Sequence, residues 1–306
     1  MGGGEPNRCG LDERHDVVIP APFRYVAVTS LEETISALIE YGEDAKVLAG
    51  GQSLLPLMKL RLASPTVLLD LAGIGLRHIR TEDHAGIIEL VIDAMASYRD
   101  VAASSVVGAH APLLACAASL VGDPQVRNRG TIGGGVAHAD PASDVSCALM
   151  ALDARAVVAG PNGRREISLE DLFTGFWTST IAVDEVLTEV RIPSARGIGW
   201  SYQKFTIRSQ DWALVGAALC GGRVALASMA TQVIRARSTE AALAAGASVA
   251  DAAAVADEGS DPPSDLRGSS AYRRHLARVL VADALREAGA RTQSGEPSRT
   301  LTGSAP

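Results

Sequence analysis

The first predicted helix begins at a capping box and continues as an amphipathic pattern. Ser30 precedes L-E-E, so its hydroxyl can cap the helix while Glu33 stands three positions later. The apolar residues Ile35, Leu38 and Ile39 then share one helical face. Gly42 follows at a position typical of a helix end, so the pattern predicts a helix from Ser30 to Gly42.

Short β-branched runs follow this helix, and each is bounded by glycine or polar residues. They predict strands over Lys46–Leu48, Thr66–Leu71 and Ile87–Ile92. The first strand leads directly into AGGQSLLP, residues 49–56. A glycine turn with polar side chains therefore stands at the end of a predicted strand.

The middle of the chain alternates apolar helices with turn-rich segments. The pattern predicts a helix over Pro112–Val121, a helix over about Ala142–Leu152, a hairpin that turns at Pro161, Asn162 and Gly163, and a strand over Glu185–Pro193. The stretch VRNRGTIGGGVAHADPASD, residues 126–144, is predicted to lie in a long loop before the second of these helices.

The last third of the chain starts with strands and ends with helices. Strands are predicted over Tyr202–Ile207, Trp212–Leu219 and Arg223–Ser228, and helices over Thr239–Ala245, Val249–Glu258 and Ser270–Ala288. Strands and helices mix without strict alternation, which favours an α+β fold. The predicted units are 18–72, 73–195 and 196–289, with flexible tails at 1–17 and 290–306.

Composition and charge exclude several classes of function. The chain has 306 residues, 47% of them hydrophobic, and a formal net charge of -7, which is typical of a globular protein. Its basic residues are dispersed, so nucleic acid is not an expected partner. The longest uncharged apolar segments, such as Trp212–Cys220, are far shorter than the ~20 residues of a membrane helix. The N-terminus carries no targeting signal, so we expect a cytoplasmic protein.

The four cysteines, Cys9, Cys116, Cys147 and Cys220, lie far apart. An iron–sulfur cluster needs about four thiolates brought together, so we expect no such cluster in this chain. His138 and Asp140 have no second histidine or carboxylate cluster near them, so no metal site is expected either. His138 is interpreted as a loop residue that shapes a pocket, and no catalytic residue is predicted.

Two glycine-rich stretches carry the candidate chemistry. Consecutive glycines can form concave backbone nests that bind phosphate oxygens, and AGGQS together with TIGGG, residues 131–135, could hold a pyrophosphate from two sides. Neither stretch matches the GxGxxG fingerprint, and the P-loop pattern is absent. Taken alone, AGGQS is more often a tight turn than a ligand site, and only the pair of stretches favours a dinucleotide.

With these stretches the chain resembles the FAD-binding medium subunits of molybdenum hydroxylases, the carbon monoxide dehydrogenase and xanthine dehydrogenase group. The resemblance covers roughly Ile19 to Ala288 and includes PAPFRY, SLEET, AGGQSLLPLMKLRL, AMASYRDV, VRNRGTIGGGVAHADPASD, YQKFTIRSQDWALVG and DPPSDLRGSSAYRRHLARVL. It implies a two-subdomain FAD-binding fold of the vanillyl-alcohol oxidase type. A C-terminal domain with a small sheet and helices would follow.

The resemblance also implies the residues that contact FAD. The two glycine stretches would bind the pyrophosphate through backbone amides and hydroxyls: Ala49, Gly50, Gly51, Gln52, Ser53, Thr131, Ile132, Gly133, Gly134 and Gly135. Asp144 matches a position that contacts the cofactor. Tyr202 matches an aromatic residue near the isoalloxazine, and Lys204 or Gln203 lies beside it.

In such complexes a large subunit oxidises substrate at molybdopterin, and electrons pass through [2Fe-2S] clusters of a small subunit to FAD and then to an external acceptor. The resemblance therefore implies those two partner subunits, expected as a dimer of heterotrimers. It leaves the substrate open among carbon monoxide, an aldehyde, a purine and another N-heterocycle. Two other functions stay open: a flavin-free scaffold subunit of the same complex, and a free-standing flavin oxidoreductase.

Three positions depart from the family pattern. Gly135 replaces an Asn, Asp or Ser, so one hydrogen bond to the cofactor, worth ~1 kcal/mol, is expected to be missing. Asp93 replaces a glycine and has no partner that the sequence reveals. The hairpin from Cys220 to Arg223 is short, and SMATQVIRA, residues 228–236, lacks a proline-bearing turn, which is expected to alter assembly more than cofactor binding.

Overall fold

The computed structural model describes residues 19–294 of the chain. The first unit of the fold is a small parallel sheet. Its elements are β1 (Arg24–Ala27), α1 (Leu31–Tyr41), β2 (Ala45–Leu48), α2 (Leu54–Lys59) and β3 (Val67–Asp70). β3 lies between β1 and β2 and is parallel to both. Because Leu48 pairs with Asp70, the end of β2, where AGGQS begins, lies beside the end of the central strand.

The predicted start of α1 is confirmed in detail. Ser30 accepts a hydrogen bond from the Glu33 amide at 3.1 Å, and the Glu33 carboxylate accepts one from the Thr29 amide at 2.7 Å. The strands predicted at Lys46–Leu48 and Thr66–Leu71 are also present, within one residue. β1 was not predicted, because its residues are mostly exposed and show no apolar alternation.

The second unit is an antiparallel sheet of five strands with seven helices in the same stretch of chain. The strands are β4 (Ile79–His84), β5 (Ile87–Asp93), β6 (Arg155–Gly160), β7 (Gly163–Ser168), β8 (Phe173–Gly175), β9 (Thr178–Ser179) and β10 (Val186–Pro193), with β8 and β9 forming a separate pair. The helices are α3 (Tyr98–Ala103), α4 (Ser105–His110), α5 (Pro112–Ser119), α6 (Pro124–Arg129), α7 (Ile132–His138), α8 (Asp144–Ala151) and α9 (Leu169–Leu172).

In this sheet the strand order is β4-β5-β10-β6-β7, so the last strand of the unit lies in the centre. The hairpin predicted at residues 161–163 connects β6 to β7, and Gly163 takes a φ of 100° there. Leu90 and Val190 from the sheet pack in one core with Ile132 and Leu149 from the helices. The helices are thereby fixed to one side of the sheet.

The prediction that residues 126–144 form a long loop was wrong. This stretch contains the end of α6, all of α7 and the start of α8. Thr131 caps α7, and its side chain accepts a hydrogen bond from the Gly134 amide. Glycine has a low helix propensity, but Ile132 and Val136 are fully buried, so tertiary packing stabilises the helix instead.

Asp93, whose partner the sequence did not reveal, is buried at the end of β5 and fully paired. Its carboxylate accepts a hydrogen bond from the Arg80 guanidinium at 2.8 Å and another from the His78 amide at 2.9 Å. Arg80 also donates to Glu189 on the neighbouring strand β10 at 3.0 Å. The carboxylate is therefore part of an ion-pair network on the sheet.

The third unit combines an antiparallel sheet with three helices. Its elements are β11 (Trp200–Phe205), β12 (Val215–Cys220), β13 (Arg223–Ala227), β14 (Ile234–Arg235), α10 (Arg237–Ala244), α11 (Val249–Ala254) and α12 (Ser270–Ser294). The short hairpin between β12 and β13 closes with Gly221 and Gly222, whose φ values of 55° and 87° suit a tight two-residue turn. α12 packs on β11 and β12, with Leu276 and Val281 in the core beneath them.

Several predicted boundaries in this unit were wrong, and helix α11, for example, ends at Ala254 instead of Glu258. Trp212 lies in the loop between β11 and β12, because β12 begins only at Val215. α12 continues to Ser294 instead of ending near Ala288, so residues 290–294 of the predicted tail are helical. The rest of that tail and residues 1–17, which include Cys9, lie outside the described residues. Within residues 19–294, the helices are all too short or too polar to cross a bilayer.

Candidate functional site

One large cavity lies where the first two units meet. Its volume is about 800 Å³, within the range of small-molecule and cofactor sites. It is lined by residues from both glycine stretches, by the starts of α3 and α8, by the segment between β9 and β10, and by the end of β11. The fold therefore brings together the two stretches that the sequence analysis singled out.

The AGGQS stretch forms a backbone nest that opens into this cavity. Gly51 has a φ of 73°, which turns successive amides toward the same side. Within the described chain, the amides from Gly50 to Leu54 donate no hydrogen bond to another backbone group. Apart from the exposed Gln52, these residues are half-buried, and such amides rarely stay without an acceptor, so this nest is suited to an anionic ligand such as a phosphate.

Gly50 also allows the two glycine stretches to approach each other. A β-carbon on Gly50 would lie 2.3 Å from the Arg129 carbonyl oxygen and 2.8 Å from the Gly130 α-carbon. The backbone just before Thr131 therefore contacts the AGGQS turn directly. Any side chain at position 50 would separate the two walls of the cavity.

The TIGGG stretch does not form a nest, contrary to the expectation of unobstructed amides. The amides of Ile132 and Gly133 donate to Ala96 and Ala94 at 3.0 Å and 2.9 Å. Those of Gly134 and Gly135 donate to the hydroxyl and the carbonyl oxygen of the capping Thr131. What these glycines provide is close approach, because β-carbons there would overlap with neighbouring residues.

Asp144 is the centre of a buried polar cluster at the cavity wall. Its carboxylate accepts a hydrogen bond from the Lys204 ammonium group at 2.7 Å and one from the Tyr202 hydroxyl at 2.5 Å. Lys204 also donates to the Leu120 carbonyl oxygen at 3.2 Å. Burial raises the pKa of Asp144, and the contacts with Lys204 and Tyr202 oppose that effect. The cluster fixes one carboxylate and one ammonium group beside the ligand space.

Most of the predicted contact residues line the cavity: Ala49, Gly50, Gly51, Gln52, Ser53, Thr131, Gly133, Gly134, Gly135, Asp144 and Lys204. Ile132 and Tyr202 do not line it. The Ile132 side chain is fully buried in the core, and Tyr202 reaches the cavity only through Asp144. Gln203 points elsewhere, because its amide donates to Ser201 and Glu287.

Tyr98 and Trp212 line the cavity, although the sequence analysis did not select either. Tyr98 is the first residue of α3, and a β-carbon on Gly135 would lie 2.0 Å from its hydroxyl oxygen. No local pattern signals this contact between distant parts of the chain. Trp212 is half exposed in a loop, where its ring offers a planar apolar surface. The sequence analysis assigned it to a strand and therefore did not consider it as a contact residue.

His138 lines the cavity at the end of α7, as its interpretation as a pocket-shaping residue anticipated. Its ring stacks on Trp177 with centroids 5.5 Å apart. Burial lowers the pKa of His138, while the nearby Asp140 opposes this effect. In the part of the chain that the structure covers, residues 19–294, His, Cys, Asp and Glu side chains form no group of three or more that could hold a metal ion.

Sequence comparison finds two family profiles in this chain. The FAD binding domain in molybdopterin dehydrogenase matches residues 21–195, and the CO dehydrogenase flavoprotein C-terminal domain matches residues 200–288. The carbon monoxide dehydrogenase medium chain of Hydrogenophaga pseudoflava is 40% identical over 90% of this chain and 99% of its own length. The nicotine 6-hydroxylase medium subunit of Paenarthrobacter nicotinovorans is 35% identical over 90% and 99%.

Structural comparison gives the same relationship. A solved structure of the carbon monoxide dehydrogenase from Hydrogenophaga pseudoflava, in a form that lacks the Mo-pyranopterin moiety of the molybdenum cofactor, superposes with a TM-score of 0.85. The alignment covers 89% of this chain and 99% of that chain at 43% identity. Quinoline 2-oxidoreductase from Pseudomonas putida 86 superposes with a TM-score of 0.81 at 32% identity, over 90% and 99% of the two chains.

Proposed function

This chain belongs to the family of FAD-binding medium subunits of molybdopterin dehydrogenases, and on that premise we propose that it transfers electrons from the iron–sulfur clusters of a partner subunit through FAD to an external acceptor. The family membership confirms the predicted resemblance, the α+β FAD-binding fold and FAD as the cofactor of this chain. The chain is thus a subunit of an oxidoreductase. Apart from the start of the C-terminal tail, the predicted domain boundaries stay predictions, as do the cytoplasmic location and the individual contact residues.

The observation that carries the proposal is the row of amides from Gly50 to Leu54, which lack backbone acceptors and belong to residues that line a cavity of about 800 Å³. We assign the FAD pyrophosphate to these amides, since a nest binds phosphate oxygens without needing a cationic side chain. TIGGG contributes in a different way. Its glycines let α7 pack closely against Ala94 and Tyr98 and add no side chains to that wall, while the Thr131 hydroxyl is used as the helix cap.

FAD supplies the redox chemistry when it is bound, because it exchanges electrons both singly and in pairs. The residues of this chain position and surround it. Asp144 and Lys204 place opposite charges 2.7 Å apart at the cavity wall, and their burial keeps both side chains in one orientation. Trp212 offers an aromatic ring to a planar ligand from the loop between β11 and β12.

The chain's relatives are medium subunits of multi-subunit enzymes, and we extend this organisation to the present chain. The proposed partners are a large molybdopterin subunit and a small subunit with [2Fe-2S] clusters, assembled as a dimer of heterotrimers. The named relatives differ in substrate, from carbon monoxide to nicotine. We therefore assign substrate choice to the large subunit and leave it open among carbon monoxide, an aldehyde, a purine and another N-heterocycle.

The flavin-free scaffold is the less favoured alternative, because two of the departures that motivated it now have structural explanations. Asp93 is paired with Arg80 on the sheet. Gly135 faces Tyr98, so a glycine at this position fits its surroundings. Neither residue therefore indicates that the cavity has lost the ability to bind FAD. No described residue of the cavity specifically favours the other alternative, a free-standing flavin oxidoreductase.

The test is to purify the full chain, alone and coexpressed with the candidate large and small subunits, and to record visible spectra. We expect flavin bands and one FAD per chain after release by denaturation. Addition of substrate to the complex should then bleach those bands until an acceptor is supplied. A chain without flavin bands that also fails to bind added FAD, both alone and in the complex, would contradict the proposal and favour the scaffold.

A further inference from the structure

The Tyr98 side chain fills the space into which any side chain at position 135 would extend. A β-carbon at position 135 would lie 2.0 Å from the Tyr98 hydroxyl oxygen and 3.2 Å from the adjoining ring carbon. Real β-carbons do not approach other atoms so closely, and the tyrosine ring is not at the end of a long flexible chain. A tyrosine at 98 therefore requires glycine at 135.

The position of the tyrosine ring is fixed on its other side as well. A β-carbon at Gly130 would lie 2.8 Å from ring carbon Cε2, so this second glycine also makes room for the ring. The Tyr98 amide donates to the Gly130 carbonyl oxygen at 3.0 Å. The side chain is only 8% exposed. The hydroxyl is thus held in place before any ligand binds.

The Tyr98 hydroxyl is a donor without an acceptor in the described part of the chain, residues 19–294. Burial and the charges of Asp144 and Asp140 raise the pKa of Tyr98, so the phenol keeps its proton. The tyrosine ring is buried, the residue lines the cavity, and the hydroxyl oxygen is not among the buried polar atoms that are closed off from it. Its partner should therefore be a ligand atom.

We propose that the Tyr98 hydroxyl binds FAD directly by donating a hydrogen bond to it. The inference rests on the proposed function, since it requires FAD in this cavity. On this proposal, Gly135 does not weaken FAD binding by leaving one hydrogen bond unmade. The hydrogen bond comes from Tyr98, and the absence of a side chain at Gly135 leaves room for the Tyr98 hydroxyl.

The first test is Tyr98→Phe, which keeps the ring and removes only the hydroxyl. We expect the dissociation constant for FAD, measured by titrating the flavin-free full chain and following flavin fluorescence, to rise between about 3-fold and 10-fold. Thermal unfolding of the flavin-free chain should stay unchanged, because the hydroxyl has no acceptor within the described chain. Tyr25→Phe is the matched control, since the Tyr25 hydroxyl bonds to Asp70 outside the cavity, and FAD affinity should not change.

The second test is a double-mutant cycle between the two positions. Gly135→Ser alone should weaken FAD binding strongly, because its side chain overlaps with Tyr98. Tyr98→Ala is measured alone and combined with Gly135→Ser, and the double variant should bind FAD more tightly than Gly135→Ser alone, since the serine then has space and supplies a hydroxyl. Additive effects in this cycle would overturn the inference.

The two proposals fail in different ways. If the wild-type chain binds no FAD, the proposed function is overturned and the inference falls with it. If the wild-type chain binds FAD and Tyr98→Phe binds it equally well, the proposed function stands and the role of Tyr98 is overturned. The apo-state unfolding temperature separates a loss of binding from a loss of folding in every variant.

Discussion

Lys204 lies with its ammonium nitrogen 2.7 Å from Oδ2 of Asp144, and both side chains are more than nine-tenths buried. The pair connects the third unit of the fold to the second, because Lys204 is on β11 and Asp144 begins α8. A buried ion pair adds little net stability compared with apolar residues of equal size, but breaking one side of it leaves an uncompensated charge. The pair is thus a sensitive point of both the fold and the cavity.

We expect Lys204→Met to destabilise the chain by about 3–5 kcal/mol, because the Asp144 carboxylate stays buried without its cation. Adding Asp144→Asn to this variant should restore part of the loss. Lys46→Met is the matched control, since that side chain is half exposed and its nearest carboxylate is 3.6 Å away. Denaturant unfolding measures all three variants. Equal stability of Lys204→Met and Lys46→Met would contradict the prediction.

Gly50→Ala should destabilise the chain by about 1–3 kcal/mol and weaken FAD binding, because its β-carbon overlaps with the backbone of Arg129 and Gly130. The two walls of the cavity must then move apart. Gly108→Ala provides the control: this glycine lies in helix α4, and a β-carbon added there would meet no atom within 4 Å, so the change should stabilise by about 0.5–1 kcal/mol. Thermal unfolding and FAD titration should separate the two variants, and similar behaviour would refute the close contact.

Features that depend on neighbouring residues in the sequence could be predicted from the sequence. The cap at Ser30 and the turn before Gly163 each follow from residues within a few positions, and both are present. The position of AGGQS at the end of a strand could also be predicted. The lack of acceptors for its amides could not be predicted, because a hydrogen-bond partner can come from anywhere in the chain.

Features that depend on distant contacts could not be predicted. The helix at Ile132–His138 contains three glycines and exists because Ile132 and Val136 are buried against the sheet, so local propensity pointed to a loop. The contact between Tyr98 and Gly135 arises only when α3 and α7 are packed together. In both cases the residue types are informative only after the tertiary fold is known.

Asp93→Asn should destabilise the chain by about 1–3 kcal/mol without changing FAD affinity. The substitution weakens the bond from Arg80 at 2.8 Å and leaves that guanidinium facing fewer charges, whereas Asp93 does not line the cavity. Asp100→Asn is the control, because its side chain is half exposed and its contact with Arg99 is long, at 3.4 Å. If Asp93→Asn lost FAD while keeping its stability, the residue would belong to the cofactor site instead of the sheet.

Glu185 gives a pH-dependent contribution whose sign can be worked out. Its carboxylate accepts hydrogen bonds from Nε and Nη2 of Arg165, both at 2.7 Å, and these bonds lower the pKa of Glu185 against the effect of burial. A folded-state pKa below the ordinary value of 4.5 means that the stabilisation is complete above that pH. It is lost as the pH falls further, through the folded-state pKa.

We therefore expect Glu185→Gln to reduce stability by about 1–3 kcal/mol at neutral pH, since the bonds from Arg165 lose their charged acceptor. The difference from wild type should shrink in acid, because the wild-type carboxylate is then protonated as well. Urea unfolding over a pH series measures this change, with the strongly exposed Glu43→Gln as a control that should differ little from wild type at any pH. A difference that stays constant across the acid range would show that Glu185 acts by packing and not by its charge.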